Sequence, residues 1–155
     1  MRDGFKPTRL PASIFPDKIK AELDKRKSNE IPISNFISWS KIPILSMPKD
    51  VEIIKEYAKL KKNVGDGEAA CLAVAKHTKE YIASSNISDI DTYCKEHGIV
   101  YLTTMDILLE AYTQGIMNEL ECDEFIKEVK SKNSRLIHSV NSIKDYEKYK
   151  QAITA

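Results

Sequence analysis

The sequence predicts a helix-rich α/β protein, a three-layer α/β/α sandwich with a small, mostly parallel sheet. Two apolar segments with strand character, residues 81–84 and 99–103, are each followed by a segment with helical periodicity. This alternation is typical of strand–helix–strand units, in which consecutive strands lie parallel. The composition, 42% hydrophobic and 30% charged residues, is ordinary for a folded globular protein. At 155 residues the chain has the length of one domain, so we expect a single domain over residues 1–155.

Charge, hydropathy and cysteine content exclude several classes of protein. There are 24 Lys and Arg residues against 23 Asp and Glu, which argues against a polybasic nucleic-acid arm but not against a local basic groove. No run approaches the ~18 apolar residues of a membrane span, and the first residues lack the apolar core of a secretory signal. Cys71, Cys94 and Cys122 are odd in number and widely spaced, which predicts reduced, buried thiols. We therefore expect a cytoplasmic protein without a membrane partner.

Prolines punctuate the first part of the chain. Residues 6–13 can hold one brief strand, and Pro16 is expected to open a helix that continues to about Lys27. Residues 31–47 are rich in β-forming side chains, but two prolines within them favour edge strands or a loop.

Two helices are predicted next. Ser46 resembles an N-cap with Pro48 just inside the helix, and apolar residues recur at helical spacing up to Lys62. Glycines at 65 and 67 interrupt this pattern. The following helix, residues 68–76, is apolar nearly all round, which predicts that it is buried.

Both strands of the predicted parallel pair lead into helices with recognisable ends. After the first strand, Ser88 and Asp91 resemble a capping box, and Gly98 is expected to end the helix. After the second strand, Thr104 is the predicted cap of a helix that Gly115 ends.

The end of the chain is more polar. Asn118 and Glu121 have the spacing of a capping box and predict the start of one more helix. The tail from Ser131 to Ala155 is polar, with a weak strand signal around residues 136–138. We expect the protein to be helix-rich toward the C-terminus.

Polar side chains follow both predicted parallel strands at the point where each strand ends. Sites in open parallel sheets form beyond the carboxyl ends of the strands, so this edge is where chemistry is expected. The residues expected there are Ser84, Ser85, Asn86, Asp89, Thr103, Thr104 and Asp106. Ser85 and Thr104 are most simply helix caps.

Glu68 is a separate candidate, because it opens an apolar helix after Gly-Asp-Gly. An acid in this position is either a metal ligand or a carboxylate that stabilises the helix dipole, and the pattern alone favours the dipole. Asp66 is interpreted as a loop acid. The three histidines lack the spacing of a zinc site or a catalytic triad, and Gly65 and Gly67 lack the remaining residues of a nucleotide-binding loop.

Four segments follow one another in an order that resembles a known family. Residues 12–23 (ASIFPDKIKAEL) contain a strand and a helix that ends in Glu-Leu, and residues 65–73 (GDGEAACLA) a glycine-bounded helix start with an acid. Residues 81–89 (YIASSNISD) contain a strand that ends in polar residues, and residues 99–111 (IVYLTTMDILLEA) a last strand and helix. In this order, over about residues 8–136, they resemble the PIN-domain nucleases.

The resemblance implies an endoribonuclease that depends on Mg²⁺ or Mn²⁺ and cleaves RNA, often as the toxin of a toxin–antitoxin pair. An antitoxin protein is then an expected partner, and a homodimer an expected assembly. By position, Glu22 matches the Glu-Leu acid, Glu68 the helix-start acid and Asn86 the strand-end residue, with Asp89 as the nearest carboxylate. These four are the candidate catalytic residues, and Glu22, Glu68 and Asp89 the candidate metal ligands.

Two features depart from the family pattern. The family opens with a strand that ends in an essential Asp, whereas no strand precedes Asp3 here, and Asn86 stands where a carboxylate is usual. We therefore expect either that an N-terminal portion precedes this sequence or that the protein is a degenerate member with little or no cleavage activity. The alternatives are a non-catalytic PIN-like module that binds RNA or a protein, and a helical partner-binding domain unrelated to PIN proteins.

Overall fold

The computed structural model describes residues 15–24, 35, 40–132, 136 and 140–154. The chain divides into two compact units, Met1–Glu80 with Thr92–Ile99 and Tyr81–Asp91 with Val100–Ala155. The organisation as a single domain stays a prediction.

Helices account for most of the described residues, as the sequence predicts. They are α1 (Asp17–Asp24), α2 (Val51–Leu60), α3 (Asp66–Thr78), α4 (Ile87–His97), α5 (Thr104–Thr113), α6 (Glu119–Ser131) and α7 (Ile143–Thr154). None of the helices in the described residues has both the length and the apolar composition of a membrane span.

The described strands are short and pair in parallel. In the first unit β1 (Phe15–Pro16) pairs with β2 (Ile44–Leu45), and in the second β3 (Ile82–Ala83) pairs with β4 (Tyr101–Leu102). The parallel pairing predicted for residues 81–84 and 99–103 is confirmed, although both strands are shorter than expected. The protein is thus a helix-rich chain with small parallel strand pairs, compatible with an α/β fold, and the three-layer arrangement stays a prediction.

Helix α3 supplies much of the core of the first unit, and α1 and α2 pack against it. Its fully buried apolar residues are Ala69, Ala70, Leu72, Ala73 and Ala75. Most of these side chains are small, so neighbouring helices can approach closely and still remove apolar surface from water. The predicted burial of this helix is confirmed, and the helix extends two residues beyond the predicted range at each end.

The start of α2 differs from the prediction. Its N-cap is Asp50, whose Oδ1 accepts hydrogen bonds from the backbone N–H of Glu52 (2.8 Å) and Ile53 (3.3 Å). Ser46 and Pro48 both precede the helix, so the predicted cap at Ser46 is wrong. The carboxylate of Asp50 is the stronger acceptor for the amides that a helix N-terminus leaves unpaired.

The predicted starts of α4 and α5 are also wrong in detail. Helix α4 begins at Ile87, so Ser88 and Asp91 lie inside it and cannot form its capping box. The cap of α5 is Thr103, one residue before the predicted Thr104, because Asp106 completes a capping box with Thr103.

The predicted helix ends at Gly98 and Gly115 are confirmed. Both glycines have positive φ, 64° and 70°. The N–H of Ile99 donates to the carbonyl of Cys94 (2.9 Å), and the N–H of Ile116 donates to that of Ala111 (2.9 Å). Each bond spans five residues, which is the closing bond of a Schellman motif.

The second unit is built around α5, α6 and α7. The capping box of Asn118 with Glu121 at the start of α6 is confirmed. Helix α7 lies in the tail, where the sequence predicted only a weak strand. The buried residues of this core are Met105, Leu108, Cys122, Ile126, Ile143 and Tyr146. Ile143 and Tyr146 thus make α7 part of the core.

Several sequence predictions fall wholly or partly outside the described residues: the brief strand at 6–13, the helix end at Lys27 and most of the β-rich stretch 31–47. Leu136 is described and lies in no strand, while the other two residues of the predicted strand at 136–138 lie outside. The cysteines are free thiols as predicted, with Cys94 and Cys122 buried and Cys71 partly exposed.

Candidate functional site

Two hydroxyl groups connect the segments that follow the carboxyl ends of β3 and β4. The parallel register is held by the N–H of Ser84, which donates to the carbonyl of Leu102 at 3.0 Å. Just beyond, Ser85 Oγ lies 2.7 Å from Thr104 Oγ1, a hydrogen-bonding distance. The structure therefore joins these two residues at one polar edge, where the starts of α4 and α5 also lie.

Asn86 and Asp89 form a small exposed cluster at the start of α4. Asn86 Nδ2 donates to Asp89 Oδ2 at 2.7 Å, and Ser88 Oγ lies within hydrogen-bonding distance of Asp89 Oδ1 (3.1 Å) and Asn86 Oδ1 (3.2 Å). Both carboxylate oxygens of Asp89 are thus close to local donors. A hard cation prefers oxygen ligands, so binding one here would require the Asn86 amide to turn its oxygen toward the ion.

Glu68 is half-buried in the first turn of α3. The N-cap of this helix is Gly65, which offers no side-chain hydrogen bond to the free backbone amides. Carboxylates in the first turn therefore contribute the negative charge that favours a helix N-terminus. The dipole interpretation of Glu68 agrees with this placement, and a ligand role is not in conflict with it.

Asp66 differs from its sequence interpretation as a loop acid, because it is the first residue of α3. Its Oδ1 accepts a short hydrogen bond from the Tyr57 hydroxyl and forms an ion pair with Lys61 Nζ at 2.9 Å. Hydrogen bonds from Tyr57 and Lys61 hold the pKa of the Asp66 carboxyl below its usual range. These contacts tie the start of α3 to the end of α2.

Glu22 lies in α1, but its side chain is outside the described part of the structure. Glu22 and Glu68 belong to the first unit, and Asn86 and Asp89 to the second. Their meeting in one cleft stays a prediction. Within the described ranges, no group of three or more His, Cys, Asp or Glu side chains is arranged to hold a metal ion.

Asp106 has a role that the sequence did not reveal. Its Oδ2 accepts hydrogen bonds from the backbone N–H (2.9 Å) and the hydroxyl (2.7 Å) of Thr103. Its Oδ1 accepts from the Tyr146 hydroxyl at 2.8 Å and pairs with Lys150 Nζ at 2.7 Å. Tyr146 and Lys150 are one turn apart on α7, so this carboxylate fastens α7 to the start of α5.

The environment of Asp106 favours its charged form. Burial alone would raise the pKa of the carboxyl, but hydrogen bonds from Lys150, Thr103 and Tyr146 outweigh burial and hold that pKa below its usual range. The helical spacing of Ile143, Tyr146 and Lys150 was the available sequence signal for α7, and its partner Asp106 lies 40 residues before Tyr146.

Lowering the pH should weaken the contact of Asp106 with α7. Because the pKa of Asp106 is lowered in the folded state, its stabilisation is present above the unfolded-state pKa and is lost as pH falls through the folded-state value. We expect Asp106→Asn to lower the free energy of unfolding at pH 7 by about 1–3 kcal/mol. Between about pH 5 and 2, the stability of the variant should fall less than that of the unmodified protein.

Urea titrations at several pH values, followed by circular dichroism, measure this difference. Asp145→Asn, at an exposed residue in the first turn of α7, is the matched control. Parallel pH profiles for the unmodified protein and Asp106→Asn would contradict the assignment.

Comparison with known proteins gives no relative. The chain matches no protein-family model, no curated protein and no solved structure at a significant level. Any functional assignment therefore depends on the motifs of the sequence and on the geometry described above.

Proposed function

We propose that this chain is a PIN-like, metal-dependent endoribonuclease with a three-layer α/β/α arrangement. The observation that supports the proposal most is the parallel pairing of β3 with β4, with a helix starting within four residues of the end of each strand. This arrangement gathers polar residues at the carboxyl edge, as parallel sheets with ligand sites do. The type of reaction is inferred from the order of the four segments that resemble PIN-domain nucleases.

The proposed donor set consists of oxygen atoms: the carboxylates of Glu22, Glu68 and Asp89 and the amide oxygen of Asn86. Such a set suits Mg²⁺ or Mn²⁺, which are hard cations and prefer carboxylate and amide oxygens. A bound cation of this kind polarises a phosphodiester and activates a water molecule. The role of these residues is to hold the cation and to set the net charge of the site around it.

The substrate in this proposal is RNA, and a toxin role with an antitoxin protein as partner, in the cytoplasm, belongs to the same proposal. Asn86 supplies no negative charge where the family usually has a carboxylate, so metal affinity should be low. We therefore expect slow cleavage by this chain even at millimolar metal concentrations.

One observation favours a second candidate, a non-catalytic PIN-like module that binds RNA or a protein. Both oxygens of Asp89 lie within hydrogen-bonding distance of neighbouring donors, Asn86 Nδ2 and Ser88 Oγ. A carboxylate engaged in this way stabilises the local turn and is less ready to bind a cation.

Asn86→Asp separates the two candidates. It replaces the amide donor that faces Asp89 with a second carboxylate, and two adjacent carboxylates bind a divalent cation more strongly because affinity rises with ligand charge. We expect the rate of Mn²⁺-dependent RNA cleavage to rise at least about tenfold. Single-turnover cleavage of a structured RNA, with EDTA as the metal-free control, measures the change.

Asn63→Asp is the matched control, since it adds the same charge at an exposed turn residue of the first unit. Absence of EDTA-sensitive cleavage in both the unmodified protein and Asn86→Asp would make the nuclease proposal wrong and favour the binding module. Fast cleavage that Asn86→Asp leaves unchanged would retain a nuclease but reject this position.

A further inference from the structure

Two lysines contact the ring of Tyr57 in the first unit. Lys18 Nζ of α1 lies 6.0 Å from the ring centre, and Lys61 Nζ, at the end of α2, lies 5.7 Å from it. An ammonium group within about 6 Å of the centre of an aromatic ring is attracted to the face of that ring. Tyr57 therefore holds two positive charges near one another, one from α1 and one from the end of α2.

One carboxylate lies beside these amines. Asp66 pairs with Lys61 Nζ at 2.9 Å and accepts the hydrogen bond of the Tyr57 hydroxyl. Hydrogen bonds from Tyr57 and Lys61 are the main causes that lower the pKa of Asp66, and attraction to Lys18 lowers it further. We call Lys18, Tyr57, Lys61 and Asp66 the lysine cluster. With two ammonium groups and one carboxylate, the lysine cluster has one positive charge in excess.

The lysine cluster lies close to the two acids that are proposed metal ligands in the first unit. Lys18 precedes Glu22 by four residues on α1, which is about one helical turn. Asp66 precedes Glu68 by two residues in the first turn of α3, and α1 packs against α3. The excess positive charge is therefore within about one turn of each acid.

We propose that Lys18 and Lys61 bind a phosphate group of the RNA backbone beside the metal site, an inference that rests on the proposed function. Each backbone phosphate carries one negative charge, which equals the excess charge of the lysine cluster. Lysines that contact phosphates contribute affinity and orientation without reading the base sequence. These contacts would hold the backbone next to Glu22 and Glu68, where a bound cation acts on a phosphodiester.

Lys61 can turn toward a phosphate without any change in the core. Its side chain is 55% exposed, and that of Asp66 is 30% exposed. An ion pair as accessible as this one is only weakly favourable, because water screens it and two side chains lose freedom. A phosphate oxygen can therefore replace the Asp66 carboxylate at Lys61 Nζ. Asp66 should lower the affinity for RNA, because it competes for the same amine and repels the phosphate.

An acidic protein segment is the other polyanion that could meet these amines. Its carboxylates carry the same charge as phosphates, and two lysines alone do not discriminate between them. RNA is favoured because the neighbouring acids, Glu22 and Glu68, belong to a site proposed for phosphodiester cleavage. Competition between RNA and polyglutamate decides between the two polyanions.

Fluorescence anisotropy of a labelled single-stranded RNA measures binding to the 155-residue chain in EDTA, so the result does not depend on metal-assisted cleavage. We expect a dissociation constant of about 1–100 µM. Lys18→Ala and Lys61→Ala should each raise this constant about three- to tenfold. The double variant should also lower the slope of log affinity against log salt by roughly 0.7, the contribution of one phosphate contact on a single strand.

Asp66→Asn tests the competition, because asparagine keeps the shape of the side chain and removes its charge. The dissociation constant should fall at least about threefold, whereas a purely structural role of Asp66 would weaken binding or leave it unchanged. Lys55→Ala is the matched control, since it removes the same charge from an exposed ion pair with Glu52 on α2 (2.9 Å). It should change the affinity less than about twofold. Circular dichroism shows that each variant is folded.

Lysine variants that weaken binding no more than Lys55→Ala, or a chain that does not bind RNA below about 1 mM, would overturn the proposal. An unchanged or weaker affinity in folded Asp66→Asn would overturn it as well. Polyglutamate that displaces the labelled RNA as well as unlabelled RNA does would assign the lysine cluster to an acidic protein instead. Lysine-dependent binding by a chain that shows no cleavage would support these contacts and reject only the nuclease.

Discussion

Replacing Tyr146 by alanine is expected to lower the free energy of unfolding of the second unit by about 3–5 kcal/mol. Tyr146 is only 1% exposed and lies among Met105, Leu108, Ile126 and Ile143 in the core. Alanine would leave a cavity of nearly a whole aromatic ring, and a packed interior relaxes only partly around such a cavity.

Tyr146→Phe separates the two contributions of this side chain. It keeps the ring and removes the hydroxyl that donates to Asp106 Oδ1 at 2.8 Å. Asp106 retains its bonds from Thr103 and Lys150, so the expected loss is only about 1 kcal/mol. The remainder of the alanine effect then measures ring burial.

Urea titration followed by the helical signal in circular dichroism measures both losses, with Lys148→Ala on the exposed side of α7 as the control. Equal and small losses for the alanine and phenylalanine variants would mean that α7 contributes little to the core. A loss of several kcal/mol for phenylalanine would instead place most of the stabilisation in the hydrogen bond to Asp106.

The second large effect is expected at Glu68. In the Asn86→Asp background, where cleavage should be easier to measure, Glu68→Gln should reduce RNA cleavage at least about 100-fold. Glutamine preserves the shape of the side chain and removes its charge. Losing one carboxylate lowers the affinity for the cation. The Mn²⁺ concentration for half-maximal activity should therefore rise as the cleavage rate falls.

Titrating Mn²⁺ at a fixed RNA concentration separates the change in metal affinity from the change in cleavage rate. We expect Glu22→Gln to behave in the same way. Glu80→Gln removes a carboxylate from an exposed residue of the same unit and is the control. Melting curves show whether a variant has merely lost stability, since Glu68 also lies at the start of α3. Full activity in both Glu22→Gln and Glu68→Gln would remove these two acids from the proposed site.

The sequence predicts the elements of this fold better than their ends. The burial of α3 was predictable because nearly every position in it is apolar. The cap of α5 carried a local signal that the prediction of Thr104 overlooked, because Asp106 follows Thr103 by three residues, the spacing of a capping box, whereas Ile107 follows Thr104. Helix α7 was missed because much of it is polar, and its core contacts depend on α5 and α6, far away in the sequence.

In the candidate site, too, the sequence predicts contacts between residues that are close in the chain better than contacts between distant ones. The contact of Asn86 with Asp89 joins residues three positions apart, so sequence spacing could anticipate it. The bond between Tyr146 and Asp106 joins residues 40 positions apart, and no local pattern indicates it. The common site of Glu22, Glu68, Asn86 and Asp89 depends on the family resemblance and stays a prediction.

The two glycines that end α4 and α5 are constrained by handedness and not by space. A methyl group added at Gly98 or Gly115 would meet no atom within 4 Å. Yet at φ of 64° and 70° the backbone has the sense that natural side chains disfavour, by roughly 1–2 kcal/mol per residue. Both bends are thus positions where the chirality of the amino acids, and not the packing of the fold, selects the residue.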